Sequence, residues 1–354
     1  MSQVALVTGG SGFLGNAVIL ALKNKHPEFT IYNLDQNPRA VYDKVQTIQA
    51  DISNKDSVDV AFSKVQPDIV FHVAGIIPSG QARYSAAESV HERAFNINVN
   101  GTKNILDAAR RNGCKSFVYT SSCTVLADDL KHDYPLMDET IPIGNATLAY
   151  GSSKTAAEKL VLAANGPEMS TCALRPATII GPGDSYGVVS TIHACIGNGE
   201  TPYIIGDSNN MYDFVYIDNV AHAHVLALEN LLSSTKTAAG EAMFISNQEP
   251  IYFRDFMLAI WAHFGHKPPF QVYLPASVAW GFGWLAEWVS YFAGREIALS
   301  RGTVQDAVGI RYSNNDKAVR LLGYKPLVGF ADAVRLSCDD LEKTLKSNTR
   351  SPKA

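Results

Sequence analysis

The chain has 354 residues, long enough to bury a large core, and its 46% apolar and 18% charged content excludes extended disorder. A formal net charge of −4 with no run of five or more lysines or arginines argues against a nucleic-acid-binding surface, because phosphate recognition needs concentrated positive charge. The five cysteines (Cys114, Cys123, Cys172, Cys195, Cys338) are scattered and never in C-x-x-C spacing, so reduced thiols in a cytosol-facing protein are expected, not a zinc site or a disulfide framework.

Val4–Thr8 reads as a strand that stops at Gly9-Gly10. It is too short for the core of a secretion signal, so no signal peptide is expected. Phe13–Leu22 is a helix ending near Lys23-Asn24-Lys25, and Thr30–Leu34 is a strand stopped by Asp35 and the Asn37-Pro38 turn. A Thr47–Ala50 strand, an Asp56–Val65 helix and a fully apolar strand, Ile69–Val73, follow. Asn100–Arg111 is a helix, Ser116–Thr120 a strand, Ala149–Asn165 a long helix and Ser170–Leu174 a strand. Apolar strands alternating with helices predict an α/β fold with a doubly wound parallel sheet covered on both faces. After Arg175-Pro176 glycine and proline become frequent and the alternation is lost, apart from a helix at Val220–Leu232 and a strand at Ala242–Ile245. Beyond Pro250 the chain reads as helical and aromatic-rich, and the polar tail Lys346–Ala354 as frayed.

The first strand runs into Gly9-Gly10-Ser11-Gly12-Phe13-Leu14-Gly15, a G-x-x-G-x-x-G spacing that opens a helix. Its glycines allow a sharp turn, close approach of backbone N–H groups to a pyrophosphate, and tight packing of helix on strand; the helix N-terminus adds partial positive charge. Asp35, twenty residues past Gly15, suits ribose hydroxyls and repels a 2′-phosphate, so NAD is the expected cofactor. Arg39 softens that preference and leaves NADP open. Asp51-Ile52, after the third strand, reads either as an adenine contact or as an ordinary strand-to-helix cap.

Tyr150 and Lys154, in Tyr-Gly-Ser-Ser-Lys, lie one helical turn apart on one face. A phenol of pKa ~10 is a poor base at neutral pH, but an ammonium beside it favours the phenolate, so the pair is expected to exchange a proton with a carbinol. Ser121-Ser122, at the end of the Phe117–Thr120 strand, is placed to hold a substrate oxygen. Asn98 is placed to kink a helix and to fix a water linking Lys154 to bulk.

T-G-G-S-G-F-L-G (8–15), Asp35, Val73-Ala74-Gly75, N-V-N-G-T (98–102), Y-T-S-S (119–122), Y-G-S-S-K (150–154) and L-R-P-A-T (174–178), in this order, resemble the extended short-chain dehydrogenase/reductase family. The resemblance implies a Rossmann core with a smaller C-terminal substrate-binding lobe. It makes Ser122 (with Ser121 the alternate), Tyr150 and Lys154 catalytic, assisted by Asn98. Cofactor contacts are implied at Gly9, Gly12, Phe13, Leu14, Gly15, Asp35, Asp51, Ile52, Ala74, Tyr150, Lys154 and Pro176, the last lining the nicotinamide pocket. The core is expected at 1–185 with returning segments at about 211–246 and 300–322; the lobe takes 186–210, 247–299 and 323–354. Homodimer pairing through helices around Asn100–Arg111 and Ala149–Asn165 is also implied.

Motifs starting at Asp213, Phe244, Tyr312 and Leu322 resemble the 3β-hydroxysteroid dehydrogenase branch, and within it the decarboxylating sterol-4α-carboxylate 3-dehydrogenases; they share chain geometry with nucleotide-sugar epimerases. A sugar-nucleotide site needs basic groups for a second pyrophosphate. The segment Phe270–Arg295 instead carries Trp280, Trp284, Trp288 and five other tyrosines and phenylalanines, with Glu287 its only charge before Arg295. That composition suits the lining for a flat polycyclic hydrocarbon, a packed aromatic core being the alternative. Pro275–Ala293 reaches spanning length, but Glu287, Gly281, Gly283 and the missing basic flank favour an interfacial helix or hairpin with tryptophans at headgroup depth. The expected location is the cytosolic face of the endoplasmic reticulum or a lipid droplet, with the cytoplasm as alternative.

No metal site is expected, since His222 and His224, two apart, point to different faces of a helix. The expected function is NAD-dependent oxidation of a sterol 3β-hydroxyl, with a 4α-carboxysterol losing carbon dioxide. The rivals are a 3β-hydroxysteroid dehydrogenase/isomerase or triterpenoid dehydrogenase, a nucleotide-sugar epimerase or dehydratase, and a non-catalytic NAD(P)-sensing regulator.

Overall fold

Seven strands pair side by side in the computed structural model, which describes residues 2–39, 42–85, 87–184, 187–293 and 299–350. They are β1 (Val4–Thr8), β2 (Thr30–Asp35), β3 (Gln46–Gln49), β4 (Ile69–His72), β5 (Ser116–Thr120), β6 (Ser170–Pro176) and β7 (Ala242–Ile245). Their order is β7-β6-β5-β4-β1-β2-β3 and every pairing is parallel. The winding direction reverses between β1 and β4, which opens a crevice beyond the carboxyl ends of those strands.

Successive residues of β1 face opposite sides, and each side has its own core. Ala5 and Val7 join Val18, Phe71, Leu174 and Val220 on one face, in a cluster continuous with Phe256, Trp261 and Val334. Leu6 joins Phe62, Val70, Ile105, Phe117 and Val161 on the other. Each such fully buried large side chain stabilises the fold by about 1.5–3 kcal/mol. The covering helices include α1 (Phe13–Lys25), α2 (Lys55–Val65), α3 (Glu88–Phe95), α4 (Gly101–Arg111) and α5 (Ala149–Ala163), followed by α6 (Ile217–Leu232). Arg175 of β6 makes a buried bidentate pair with Glu158 of α5, at 3.0 and 2.7 Å.

The strand-and-helix reading of the first half holds to within a few residues at each end. Three features depart from it. The run read as fully apolar ends in a buried histidine, His72, and the chain between β4 and α4 contains α3 and a π turn, Asn96–Asn100. Beyond Pro176 the alternation persists in pieces too short to read: the strands Thr178–Ile180, Tyr203–Ile205, Phe214–Tyr216, Ile251–Tyr252 and Val272–Leu274 are two or three residues long. The late motifs act as staples. Asp213 accepts from the Ser313 N–H and hydroxyl at 2.7 and 2.6 Å, and the Asn219 side-chain oxygen accepts from the N–H groups of Leu327 and Val328. Arg295 and tail residues 351–354 lie outside the described residues.

A Cβ on Gly15 would overlap the Gly9 carbonyl, and that overlap sets how closely α1 rests on β1. Gly15→Ala is expected to lower stability by about 3 kcal/mol or more, read as a fall in the urea midpoint. An unchanged midpoint would show that the turn has room to spare.

Candidate active site

At the end of β1, Gly9 adopts φ +70 and lies against Ala74, where an added Cβ would stand 2.9 Å from the Ala74 Cα. Gly12 is the N-cap of α1 and no side chain caps it, so the first-turn N–H groups at Phe13 and Leu14 are free to face an anion. A cradle that any Cβ would fill, at an uncapped helix N-terminus, fits a dinucleotide pyrophosphate. Asp35 closes its side, with one carboxylate oxygen accepting the Ser11 N–H at 3.2 Å and the other the Asn37 N–H at 3.0 Å. The Arg39 N–H donates to the Ser11 hydroxyl at 2.9 Å, so Arg39 lies beside the same turn. Asp51 stands at the neighbouring strand end, reached by the Gln36 amide at 3.4 Å. The Ile52 side chain is buried, packing where a Cβ on Gly101 would be, and its carbonyl accepts from Asn104. Pro176 is buried at the end of β6, and its carbonyl accepts the Cys123 N–H.

Tyr150 and Lys154 are both buried on α5. The Lys154 ammonium donates to the Thr120 carbonyl at 2.8 Å and the Tyr119 hydroxyl at 3.4 Å, and lies 6.0 Å from the centre of the Tyr150 ring. Burial lowers it to about 8, with Glu158 opposing. Burial also pushes the Tyr150 phenol well up, against a hydrogen bond from Ser122 and the charge of Arg83. In the protein alone desolvation dominates at the phenol, and the hydrogen bonds of the lysine go to Thr120 and Tyr119. Ser122 is the serine that reaches Tyr150, while the Ser121 hydroxyl is buried without a partner.

Asn98 lies in the π turn. Its side chain accepts from the Ile76 N–H at 2.8 Å and donates to the Ile76 carbonyl at 3.0 Å and the Ser153 hydroxyl at 2.9 Å. Behind it runs a buried relay in which one order of donors satisfies every group. Thr102 donates to the Asn98 carbonyl at 2.6 Å and His72 Nε2–H donates to Thr102 at 2.9 Å. Thr8 then donates to His72 Nδ1 at 2.8 Å and accepts the N–H groups of Val73 and Ala74 at 3.1 Å.

Three contributors escape a reading of the sequence. Arg83, in the short helix Gly80–Tyr84, places its guanidinium 5.9 Å from the Tyr150 ring centre and makes a two-pronged pair with Asp128. Asp128 in turn accepts the Gly151 N–H at 2.8 Å in the first turn of α5, and a Cβ at Gly151 would strike it. His72 carried a signal, a polar residue inside an apolar run. His224 is likewise structural: Nδ1–H donates to the Val220 carbonyl and Nε2 accepts from Thr120. Among the described residues no group of histidines, cysteines and acids could hold a metal ion.

The chain's likenesses agree with this geometry. Residues 6–276 match the 3-beta hydroxysteroid dehydrogenase/isomerase family. The decarboxylating sterol-4-alpha-carboxylate 3-dehydrogenase of Schizosaccharomyces pombe is 36% identical, over 97% of this chain and 99% of that protein. The Saccharomyces cerevisiae protein of the same name is 35% identical, over 94% and 97%. The structure of Thermus thermophilus UDP-glucose 4-epimerase in complex with NAD superposes with TM-score 0.72 at 22% identity, covering 96% of this chain and 99% of that one, a likeness of fold.

Burial lowers His72 to about 3 and His224 to about 4 from the ordinary 6.5. Both folded values lie below the unfolded one, so the unfolded chain takes up protons first and stability falls as pH drops below 6.5, continuing to about 4 and 3. Each ring contributes on the order of 3 kcal/mol to that fall. Urea midpoints measured from pH 7 down to pH ~4 are expected to decrease steadily; a flat profile would show that the rings are charged in the fold.

Proposed function

The chain belongs to the 3-beta hydroxysteroid dehydrogenase/isomerase family, and from that premise we propose that it oxidises the 3β-hydroxyl of a 4α-carboxysterol with NAD, releasing carbon dioxide. The observation that carries this reading is the meeting of Ser122 and Tyr150, backed by Lys154, at the strand edge that also bears the glycine cradle. Cofactor contacts fall at Gly9, Gly12, Phe13, Leu14, Gly15, Asp35, Asp51, Ala74 and Pro176, and Asp35 on the ribose side favours NAD over NADP. In this reading the core at 1–185 with its returning segments holds the cofactor, and the remaining segments hold the sterol.

Bound NAD supplies the hydride acceptor. The Ser122 and Tyr150 hydroxyls hold the substrate oxygen, and Tyr150 takes its proton. Lys154 and Arg83 are the cations that offset the burial of the phenol as charge develops there. Asn98, tied to Ser153 and Ile76, keeps α5 against the strand end. Oxidation leaves a C3 carbonyl beside the C4 carboxylate. The C4–carboxylate bond then breaks, its electron pair passes to the carbonyl as an enolate, carbon dioxide leaves, and C4 takes a proton. That step asks little further of the protein. Sterol-named relatives at 35–36% identity over nearly the whole chain favour this substrate over a nucleotide sugar, for which only the fold speaks.

Tyr150→Phe is expected to lower NADH formation on a 4-carboxysterol by about 10²–10⁴-fold, with carbon dioxide release falling in step. A panel with a plain 3β-hydroxysteroid and UDP-sugars discriminates the rivals: turnover of sugars alone would overturn the sterol reading. An unchanged biological output in Tyr150→Phe would favour a cofactor sensor.

We further propose that the chain docks on a membrane surface through α7 (Ala276–Ala293). Trp280, Phe282, Trp284, Leu285, Trp288 and Phe292 are all exposed, Phe292 at 74%, so the alternative of a packed aromatic core is set aside. No helix of the described residues is long and apolar enough to cross a membrane. Glu287 instead ties α7 to the following helix through the Arg301 side chain and N–H, both at 2.8 Å. The detergent-free protein is expected to float with liposomes, and a Trp284→Ser/Trp288→Ser variant to float several-fold less. A wild-type protein that ignores liposomes would sink the idea.

A further inference from the structure

Arg83 sits on a helical turn of five residues, Gly80–Tyr84, with no side-chain cap at its start. A single turn of that kind makes too few internal bonds to hold itself. The place of the guanidinium beside Tyr150 therefore depends on what the turn packs against.

Tyr84, the last residue of the turn, supplies the packing. Its hydroxyl donates at 2.6 Å to Asp306 of α8 (Arg301–Val308), across 222 residues of chain. One turn earlier on α8, a Cβ on Gly302 would stand 2.8–3.0 Å from Cβ, Cγ and Cδ1 of Tyr84, so the tyrosine rests directly on the helix backbone. The Arg83 guanidinium lies 5.8 Å from the centre of the Tyr84 ring and 5.9 Å from that of the Tyr150 ring. Asp306 is itself fixed. Its other carboxylate oxygen accepts from the Tyr212 hydroxyl at 2.9 Å and from buried Arg311 at 2.8 Å, and Arg311 also donates to Tyr212 at 3.0 Å. A phenylalanine at position 84 would fill the same space on Gly302; what the hydroxyl adds is a fixed direction.

We propose that Tyr84 is a positioning residue: latched to Gly302 and Asp306 of α8, it holds Arg83 at the proton-transfer phenol, so that a distant segment of the chain completes the site. The proposal rests on the dehydrogenase reading of Tyr150 given above. A charge moved from about 6 to about 9 Å loses about a third of its effect, and more once water enters the gap. The titratable groups acting on the phenol are Arg83, Asp128 and Cys123, together with Lys154 and Tyr119. Displacing Arg83 also leaves Asp128 uncompensated, so both changes make the phenol harder to ionise.

The test is the pH dependence of kcat in Tyr84→Phe and Gly302→Ala, with Arg83→Met as the reference. It is run on whichever substrate of the panel the wild type turns over, so the identity of the substrate does not decide it. In Tyr84→Phe the rising limb is expected to move about one pH unit to the alkaline side, with kcat at neutral pH about tenfold lower and KM for NAD unchanged. Gly302→Ala, which pushes the ring off α8 without altering Arg83 or Tyr150, is expected to move the limb in the same direction, and Arg83→Met to move it at least as far. A merely structural tyrosine would lower the melting temperature and leave the limb in place. A limb at the wild-type position in both Tyr84→Phe and Gly302→Ala, while Arg83→Met moves it, would overturn this proposal alone. A limb that Arg83→Met leaves in place would overturn the role given to Arg83 as well, and a wild type that turns over nothing in the panel would end the dehydrogenase reading and the proposal with it.

Discussion

The buried imidazole of His72 joins the glycine turn at the end of β1 to the π turn that packs on α5. Its Nδ1 accepts from Thr8, whose oxygen also fastens Val73 and Ala74 beside Gly9; its Nε2–H reaches Thr102 and, through it, the carbonyl of Asn98. The relay works in one protonation state, because a charged ring has no acceptor for Thr8. Complete burial and the nearby Lys154 charge hold the ring neutral, both acting in the same direction. Each bond adds about 1 kcal/mol net, but a partner lost at this depth costs up to about 3 kcal/mol. The π turn that carries Asn98 is thus held from below by His72 and from above by Ile76 and Ser153.

Desolvation acts on Tyr150 and Lys154 in opposite senses, raising the phenol and lowering the ammonium, so it drives both toward neutrality. A unit charge pair about 6 Å apart at an effective dielectric near 20 is worth roughly 3 kcal/mol, about two pKa units. A cation at the distance of Arg83 therefore acts on the phenol at the scale of the burial effect. Arg83 is itself spent in part on Asp128, which also caps the start of α5 at Gly151. Orientation of the helix and charge around Tyr150 are in this way both set by the Arg83–Asp128 pair.

The apolar surface of α7 obeys a different constraint. Gly283 lets the backbone of Ser300 approach so closely that a Cβ would stand 2.7 Å from it, and the Glu287–Arg301 contact closes the same junction. One edge of the helix is thereby fastened while its tryptophans remain outside.

The sequence by itself determined the doubly wound parallel core, the glycine turn with Asp35, and the Tyr150–Lys154 pair, because each rests on local chain geometry: a two-residue strand period, a turn that needs glycine, a four-residue helical spacing. It did not reveal α3, the π turn or the short strands beyond Pro176, whose runs of two or three residues carry no period. Nor did it reveal Arg83, Asp128 and His72, which are far apart in the chain and become neighbours only when the sheet closes. Composition suggested an aromatic lining at Phe270–Arg295; the tertiary structure decided which of those rings face outward. It also decided the direction of the Tyr150 phenol. Spacing reports that a lysine lies one turn away, whereas the balance between its charge and desolvation exists only once the core has excluded water.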